Sequence, residues 1–450
     1  MSLFVASIHF LLLSIIIYQL KQKYKSQPLV RWWYVAIFVK LLFGVFYGLI
    51  YLKIYGGGGD SFLYYKEVSV LVNLAYTDFG EYWNIFWYNQ YNPYINISID
   101  AWRQERVLAT IKFLSILQIF TLNDYWLQSF YLSFLSAWGI WKLANTLIKI
   151  FPSTYFSAIF AFLLFPSVQL WSSGYTKESI TMFFLCFSLS YFLEIYFNYA
   201  KISNKWHYLK IFLLFFATII WLYLVKFYYL AALLPTIFAF IIVDFIVKKI
   251  KIKYHFLKIV LFLFVWFSLV IPITQLHSAL KIDYFLLALV YNHNTTYIAS
   301  HPNDLIHYSI YPVQGYITLE GYSLYSFLYN APTAFFSACF RPFLWETYGQ
   351  KLKILMALEN TFFLFSVLIG TFCAFRIKIK SNHSHYFLVL ALLWYSIILL
   401  TILAFASPNL GSLMRYRIAV YPFLLYLFLG WIETYIIEFR LEMKNKLKIK

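Results

Sequence analysis

The chain has 450 residues, of which 62% are hydrophobic and only 12% are charged. A soluble domain carries roughly 25% charged residues, so the composition excludes an ordinary soluble protein and indicates a polytopic membrane protein. The net charge of +18 would suit nucleic acid, but the lysines lie mainly in short clusters between apolar runs. Basic residues there orient spanning helices, and no nucleic-acid partner is expected. The three cysteines are too far apart to indicate a disulfide framework or a thiolate metal site.

Eleven apolar runs approach the length of about 20 residues that a spanning helix needs. They lie near residues 4–20, 33–54, 125–148, 153–171, 179–199, 207–226, 229–247, 257–275, 352–375, 386–405 and 418–437. Cytoplasmic loops are enriched in Lys and Arg. With eleven spans, the basic clusters that begin at Lys21, Lys201, Lys248 and Arg376 and the basic C-terminal tail all face the cytoplasm. The predicted fold class is an all-α polytopic membrane protein with its N-terminus outside.

The same parity predicts five segments on the outer side, two long and three short: 56–124, 276–351, 172–178, 227–228 and 406–417. Most acidic residues lie in these segments or at the helix ends beside them, so function is expected on the outer face. Two further apolar stretches, 107–122 and 324–342, are interpreted as helices at the outer interface. Counting 107–122 as a span would turn later basic clusters outward. No repeat or linker divides the chain, and residues 1–450 are treated as a single multi-spanning domain.

Four consecutive glycines, 56–59, precede Asp60 directly after the second apolar run. Glycine lacks side-chain bulk and adopts dihedrals closed to other residues, which leaves room for a ligand. Asp60 is a candidate general base, since such a base needs a poised, partly desolvated carboxylate. Glu67, a second catalytic candidate, lies two helical turns further along the same face, so both acids can line one cleft. Tyr64, between them, is a substrate-binding candidate. The alternative is that Asp60 merely caps the next helix.

The outer segment 166–178 ends in two adjacent opposite charges, Lys177 and Glu178, at the start of an apolar run. Lys177 suits an anionic headgroup, and Glu178 suits a helix N-terminus, which favours negative charge. Both are substrate-binding candidates. The alternative is that this segment is an interfacial anchor.

Two arginines, Arg415 and Arg417, lie on the predicted outer side, against the positive-inside bias. The planar fork of arginine suits phosphate oxygens, so both are candidates to hold a lipid phosphate or diphosphate. The alternative is that they pair with an outer carboxylate such as Glu346. Arg341 and Glu346 are a further candidate set, which either pair with each other or bind sugar hydroxyls beside Trp345.

Histidines 293, 301 and 307 and Asp304 lie in the second long outer segment, but their spacing matches no standard zinc pattern. No metal-binding residue is assigned. No cofactor is firmly implied, although a divalent metal stays compatible with the sequence.

This arrangement resembles the lipid-dependent membrane glycosyltransferases of the GT-C class, which include the protein mannosyltransferases and the aminoarabinose transferase of lipid A. In that class an Asp follows a spanning helix at the start of the first large outer loop, here Asp60. The loop carries juxtamembrane helices, here 62–77 and 107–122. The chain is also similar to bacterial envelope proteins of this class with four short elements over residues 33–437, here Gly59-Asp60, Lys177-Glu178, Arg341-Pro342-Phe343 and Arg415-Tyr416-Arg417.

The resemblance implies an inverting, hexosyltransferase-like enzyme of cell-envelope glycan or polysaccharide synthesis, acting at the outer face of a bacterial cytoplasmic membrane. It would take a sugar from a polyprenyl-phosphate-linked donor to an acceptor glycan, lipid or protein. Asp60 would deprotonate the acceptor, while Arg415, Arg417 and Lys177 would hold the departing lipid phosphate.

Three alternatives stay open. An O-antigen or exopolysaccharide polymerase, using lipid-diphosphate-linked oligosaccharide, shares the long outer loops and outer arginines. A transporter or flippase for the lipid-linked sugar would place polar groups at the bilayer midplane, whereas here most charges lie near the ends of the spans. A non-catalytic assembly partner is the third.

Overall fold

The structure is a computed structural model. It describes residues 3–54, 56–92, 95, 97–98, 105–198, 205–276, 281–307, 324–377 and 383–448. Within these residues every named element is helical, apart from one isolated bridge between Leu305 and Asn409. The all-α prediction is confirmed for this part of the chain. Contacts cluster in two compact units, Met1–Tyr228 and Tyr229–Lys450, and each unit is described by itself.

The helices of the first unit, in chain order, are α1 (Leu3–Lys23), α2 (Trp33–Lys53), α3 (Asp60–Thr77), α4 (Phe79–Tyr88), α5 (Glu105–Phe120), α6 (Tyr125–Ile150), α7 (Pro166–Trp171), α8 (Lys177–Asn198) and the first part of α9 (Lys205–Ile250). Helix α6 forms the core, since it packs against α2 and α8 along most of its length. Gly139 allows the close approach of α8, because a Cβ there would lie 2.9 Å from the Phe183 Cα. Helix α3 packs on α4 and α5.

The second unit contains the rest of α9 and then α10 (His255–Leu276), α11 (Ile282–Ile298), α12 (Leu324–Phe340), α13 (Lys351–Arg376), α14 (His383–Ala406), α15 (Leu410–Tyr416) and α16 (Tyr421–Lys448). Helix α13 packs against α16, and α14 packs against α11 and α12. Gly370 provides the close contact in the first of these pairs, since a Cβ there would lie 2.6 Å from the Phe428 carbonyl oxygen.

Eight helices among the described residues are long and apolar enough to cross a membrane, or nine if α5 and α6 together form one bent span. The eight are Leu3–Lys23, Val30–Lys53, Lys177–Phe197, Lys205–Ile250, His255–Pro272, Lys351–Arg376, Ser384–Ala406 and Tyr421–Asn445. Large apolar side chains on them face outward: Phe4, Phe264 and Phe375 are 74%, 69% and 87% exposed. Such exposure suits lipid and not water. The architecture is that of a multi-pass membrane protein.

The eleven predicted spans differ from these eight or nine for local reasons. The run predicted at 153–171 is not one helix: a short apolar helix of mixed 3₁₀, α and π type from Pro152 to Leu164 is followed by α7. The pyrrolidine ring of Pro166 excludes the preceding residue from the α-region, and Phe165 accordingly has ψ 119°. The buried Lys40 of α2 donates from Nζ to the carbonyl oxygens of Val168 and Gln169 at 3.0 and 3.4 Å. These bonds satisfy the C-terminal carbonyls of α7.

Helix α9 contains two of the predicted spans in 46 residues. As one straight helix at 1.5 Å per residue, 46 residues would measure about 69 Å, more than twice the hydrocarbon core of a bilayer, but α9 is kinked. The backbone at Lys226 is not helical, with φ −147° and ψ 72°. The predicted runs 207–226 and 229–247 meet at this break.

The predicted interfacial stretches 107–122 and 324–342 are both helical, as α5 and α12. Neither qualifies alone as a candidate span. Helix α5 turns into α6 through a bend of 115°. A change of direction of this size is compatible with a helix along the membrane surface that leads into a spanning one.

The glycine run forms the turn that connects α2 to α3. Gly56, Gly57 and Gly59 have φ values of +59°, +77° and +80°, in the left-handed region where only glycine is unstrained. A Cβ at Gly59 would also lie 2.6 Å from Cε1 of the buried Tyr51. The turn therefore requires glycine at position 59 for both conformation and space.

We expect Gly59→Ala to destabilise the first unit by about 2 kcal/mol, since a left-handed residue with a Cβ costs roughly 1–2 kcal/mol and the Tyr51 ring must also move. Gly58→Ala is the matched control, because Gly58 is the member of the run without a positive φ. Thermal unfolding in detergent micelles measures both. Equal stability of the two variants would contradict this account of the turn.

Candidate functional site

The start of α3 is fixed to the segment before α8 by a hydroxyl chain. Ser61 Oγ donates to the Tyr175 carbonyl oxygen at 2.8 Å. The Tyr125 hydroxyl lies 2.8 Å from Ser61 Oγ and donates to it, because the Ser61 proton is already used. The Phe62 ring stacks on the Tyr125 ring with their centroids 4.7 Å apart. Ser61 is buried, so these contacts set the position of Asp60, its neighbour in the chain.

A capped turn places the start of α8 beside α3. The Gly174 amide donates to Ser133 Oγ at 2.8 Å, and Gly174 has a φ of +78°. The Thr176 hydroxyl then accepts from the Ser179 amide at 3.2 Å, as an N-cap side chain does. Lys177 and Glu178 are therefore the first two residues of α8.

Tyr64 lies at the centre of the charged groups of this region. The Lys177 ammonium is 4.3 Å from the centroid of the Tyr64 ring, a cation–π distance. Burial raises the pKa of Tyr64, and the carboxylates of Asp60, Glu178 and Glu67 raise it further, whereas Arg106 lowers it. The phenol therefore stays protonated at physiological pH. Asp60, Glu67, Glu178 and Arg106 thus act electrostatically on the Tyr64 hydroxyl, and Lys177 contacts its ring.

The two acids predicted on α3 differ in their surroundings. Asp60 is exposed, and not partly desolvated as the sequence predicted. It is the first residue of the helix, and the N-cap position belongs to Gly59. Asp60 therefore does not occupy the N-cap position that the alternative interpretation assigned to it. Glu67 is only 6% exposed. Both act electrostatically on Tyr64, and that the two acids line one cleft stays a prediction.

Glu178 forms a buried ion pair with Lys226. The Lys226 Nζ lies 2.9 Å from the Glu178 Oε1, and the two side chains are only 5% and 6% exposed. Lys226 comes from the break in α9, so the irregular backbone and the ion pair coincide. Lys177 interacts electrostatically with both members of this pair, and also with Arg106 and Asp60. We use the name α3 cluster for seven residues: Asp60, Tyr64, Glu67, Arg106, Lys177, Glu178 and Lys226.

Arg417, predicted as a phosphate ligand, lies in the second unit with its guanidinium directed at the backbone. Nη1 donates to the carbonyl oxygens of Ala338, Cys339 and Arg341 at 3.1, 3.3 and 3.4 Å. Nη2 donates to the Asn360 side-chain oxygen. These carbonyls end α12, where helical partners are missing. Burial lowers the pKa of Arg417, while Tyr421 and Glu359 raise it. Arg417 thus connects α12 to α13.

We expect Arg417→Lys to destabilise the protein by roughly 3 kcal/mol. Hydrogen bonds to a charged group contribute about 1.5–3 kcal/mol each, and an ammonium cannot reach the α12 carbonyls and Asn360 together. Arg440→Lys, at an exposed position of α16, is the control and should stay within about 0.5 kcal/mol of wild type. Thermal unfolding in detergent provides the comparison. Similar losses in both variants would contradict the structural role of Arg417.

The other predicted residues of the second unit form local contacts. Arg341 pairs with Glu346, with Nη2 2.6 Å from Oε1, so the pairing alternative is the one observed. The other carboxylate oxygen of Glu346 accepts from the Phe343 amide at 2.8 Å. Trp345 is 75% exposed and stacks on Phe343. Arg415 donates to the Tyr416 hydroxyl at 3.0 Å.

The histidine-rich segment does not converge on a metal site. His293 is buried, and its Nδ1 lies 3.0 Å from the Phe405 carbonyl oxygen. Burial lowers its pKa to about 4, against a smaller opposing effect of that hydrogen bond. Asp304 pairs with Lys353. In the part of the chain that the structure describes, no three His, Cys, Asp or Glu side chains are grouped to hold a metal ion.

No protein-family model, curated protein or solved structure matches this chain. Its site is therefore interpreted from its own geometry. Arg106 and Lys226 were not among the residues predicted from the sequence. Their positions in the sequence give a weak signal: Arg106 lies in the predicted outer segment 56–124, and Lys226 is the last residue of the predicted span 207–226, at its outer end.

Proposed function

We propose that this protein is an inverting membrane glycosyltransferase that uses a polyprenyl-phosphate-linked sugar. The observation that supports it best is the α3 cluster: an exposed carboxylate, a shielded carboxylate and two cations surround Tyr64 at the predicted membrane surface. In a chain with 12% charged residues, so many charges at one helix start need a function, since charge near a bilayer is costly.

The cluster contains the parts that sugar transfer from a lipid phosphate requires. The Asp60 carboxylate takes the proton of the acceptor hydroxyl. The acceptor oxygen attacks the anomeric carbon, the bond from that carbon to the phosphate oxygen breaks, and the electron pair leaves with the polyprenyl phosphate. Lys177 and Arg106 stabilise the charge that develops on the phosphate. Fixed donors aimed at developing charge usually contribute most to such steps.

The buried pair holds the cluster in place. Glu178 and Lys226 neutralise each other at 2.9 Å, so the pair adds no net charge. Because Lys177 is the chain neighbour of Glu178, the pair also fixes the position of Lys177. Glu67 is buried and acts electrostatically on Tyr64, and we assign it a supporting electrostatic role. The predicted phosphate contacts of Arg415 and Arg417 stay predictions, and both residues belong to the second unit.

The experiment is a dual assay on purified protein in lipid vesicles, with a polyprenyl-phosphate-linked sugar labelled in the sugar and an envelope extract as acceptor. It measures the release of polyprenyl phosphate and the passage of intact donor across the bilayer. Transfer predicts stoichiometric polyprenyl phosphate and labelled acceptor. Passage of intact donor without cleavage would contradict transfer and favour a transporter. A requirement for a lipid-diphosphate donor would favour the polymerase.

A further inference from the structure

A basic cavity lies in the second unit, bounded by the end of α9 and the starts of α10 and α14. Its volume is about 530 Å³, within the range of roughly 300–1,000 Å³ typical of ligand pockets. Its polar lining consists of Lys248, Lys251, Lys253, His255, Lys258 and Tyr386. Four ammonium groups around one concave space create a positive potential that attracts anions.

An acidic side chain, Asp244, contacts this lining. Lys248 pairs with Asp244, with Nζ 2.6 Å from Oδ2. Asp244 also accepts a hydrogen bond from Ser384 at 3.1 Å. One carboxylate offsets one ammonium, so the formal charge of the lining side chains together with Asp244 stays positive. The cavity therefore suits an anionic ligand better than a neutral one.

The turn after α9 carries Lys251 and Lys253 to the cavity, and its backbone conformation at Lys251 is unusual. Helix α9 ends at Ile250, and the Lys251 amide donates to the Val247 carbonyl oxygen at 2.9 Å. Lys251 has a φ of +56°, at the position after a helix where glycine or asparagine is usual. A lysine there is strained. Lys258 is only 2% exposed, with its Nζ 5.9 Å from the Tyr386 ring centroid.

We propose that this cavity binds a phosphoryl group carried by a molecule of the size of a lipid headgroup. Lysine ammonium groups bind phosphate as point charges, and the volume exceeds what a free phosphate ion needs. The positive-inside rule places this lysine cluster on the cytoplasmic side, where anionic lipid headgroups and soluble phosphorylated compounds both occur. The site shares no residue with the α3 cluster and does not depend on the proposed transfer reaction.

The test measures binding of fluorescently labelled phosphatidic acid to the full-length protein in neutral detergent micelles, with labelled phosphatidylcholine as the neutral comparison. We expect phosphatidic acid to bind at least about tenfold more tightly. Each lysine near an anionic headgroup contributes a factor of about five. Lys251→Asn/Lys253→Gln should therefore weaken binding by about tenfold or more. Asn at position 251 retains the left-handed turn.

The matched control is Lys205→Gln/Lys249→Gln. It removes the same charge on the same predicted side, from two exposed lysines that do not line the cavity, and it should bind as wild type does. Gel filtration checks that both double variants are folded. If the cavity variant misfolds, Lys253→Gln alone should still weaken binding about fivefold, and Lys253→Arg should retain it.

Competition then separates the two sources of the phosphate. Displacement of the labelled lipid by glycerol 3-phosphate or inorganic pyrophosphate indicates a soluble ligand, and displacement by unlabelled phosphatidic acid alone indicates a lipid headgroup. Either result supports a phosphoryl site. Equal binding of phosphatidylcholine, or equal weakening by the cavity and control variants, would overturn the proposal, because the attraction would then not be specific to this cavity.

Discussion

Asp60→Asn is expected to lower the rate of sugar transfer by about 10²- to 10⁴-fold, the usual contribution of a general base. The amide retains the shape of the side chain and cannot take the acceptor proton. Asp60 is exposed, Gly59 holds the N-cap position of α3, and asparagine has nearly the size and shape of aspartate, so we expect the variant to fold. The measurement is the initial rate of polyprenyl phosphate release in vesicles.

Asp78→Asn is the control for this substitution. It makes the same chemical change at the start of another helix in the same outer segment. Asp78 caps α4 by accepting from the Glu81 amide at 3.0 Å, and asparagine caps equally well. We expect wild-type activity from it. If both variants lost activity together, the effect would be one of surface charge and not of a base at position 60.

The second large effect is expected at the buried ion pair. Glu178→Gln or Lys226→Met should each destabilise the protein by about 3–5 kcal/mol, since each leaves an uncompensated buried charge. The double variant, with both charges removed, should lose less than the sum of the single variants. A double-mutant cycle on thermal unfolding in detergent measures this coupling.

Glu194→Gln is the control for the ion pair. Glu194 pairs with Lys142 at 2.5 Å, but those side chains are 15% and 17% exposed, against 5% and 6% for the Lys226–Glu178 pair. Water stabilises a lone charge better at the more accessible site, so the loss should be clearly smaller. Additive effects of the two substitutions at Glu178 and Lys226 would contradict a coupled buried pair.

The local features of the α3 cluster could be predicted from the sequence. A glycine run before Asp60 indicates a turn and then a helix, and the helix begins at that residue. Spacing predicted that Glu67 lies on the face of Asp60. The partner of Glu178 could not be predicted, because Lys226 is 48 residues away and its backbone is irregular only in the folded chain.

Arg417 shows a second limit of prediction from the sequence. The sequence correctly marks Arg417 as a charge in need of a partner, but an anion and a set of backbone carbonyls satisfy a guanidinium equally well. Every helix end has free carbonyls, so no pattern indicates that those of α12 are the acceptors. The number of spans has a similar limit and stays a prediction: hydropathy finds the apolar run 153–171, yet Pro166 divides it through the conformation of Phe165.

The most direct test of the central claim is a single-turnover experiment with protein in excess over labelled polyprenyl-phosphate-linked sugar. It compares wild type with Asp60→Asn, records donor binding without an acceptor, and then records donor cleavage after the envelope extract is added as acceptor. We predict equal binding, because Lys177 and Arg106 still hold the phosphate, with rapid cleavage by wild type and cleavage at least about 10²-fold slower in the variant. Equal cleavage by both proteins, or binding without cleavage by wild type, would contradict the assignment of Asp60 as the base of a sugar transfer.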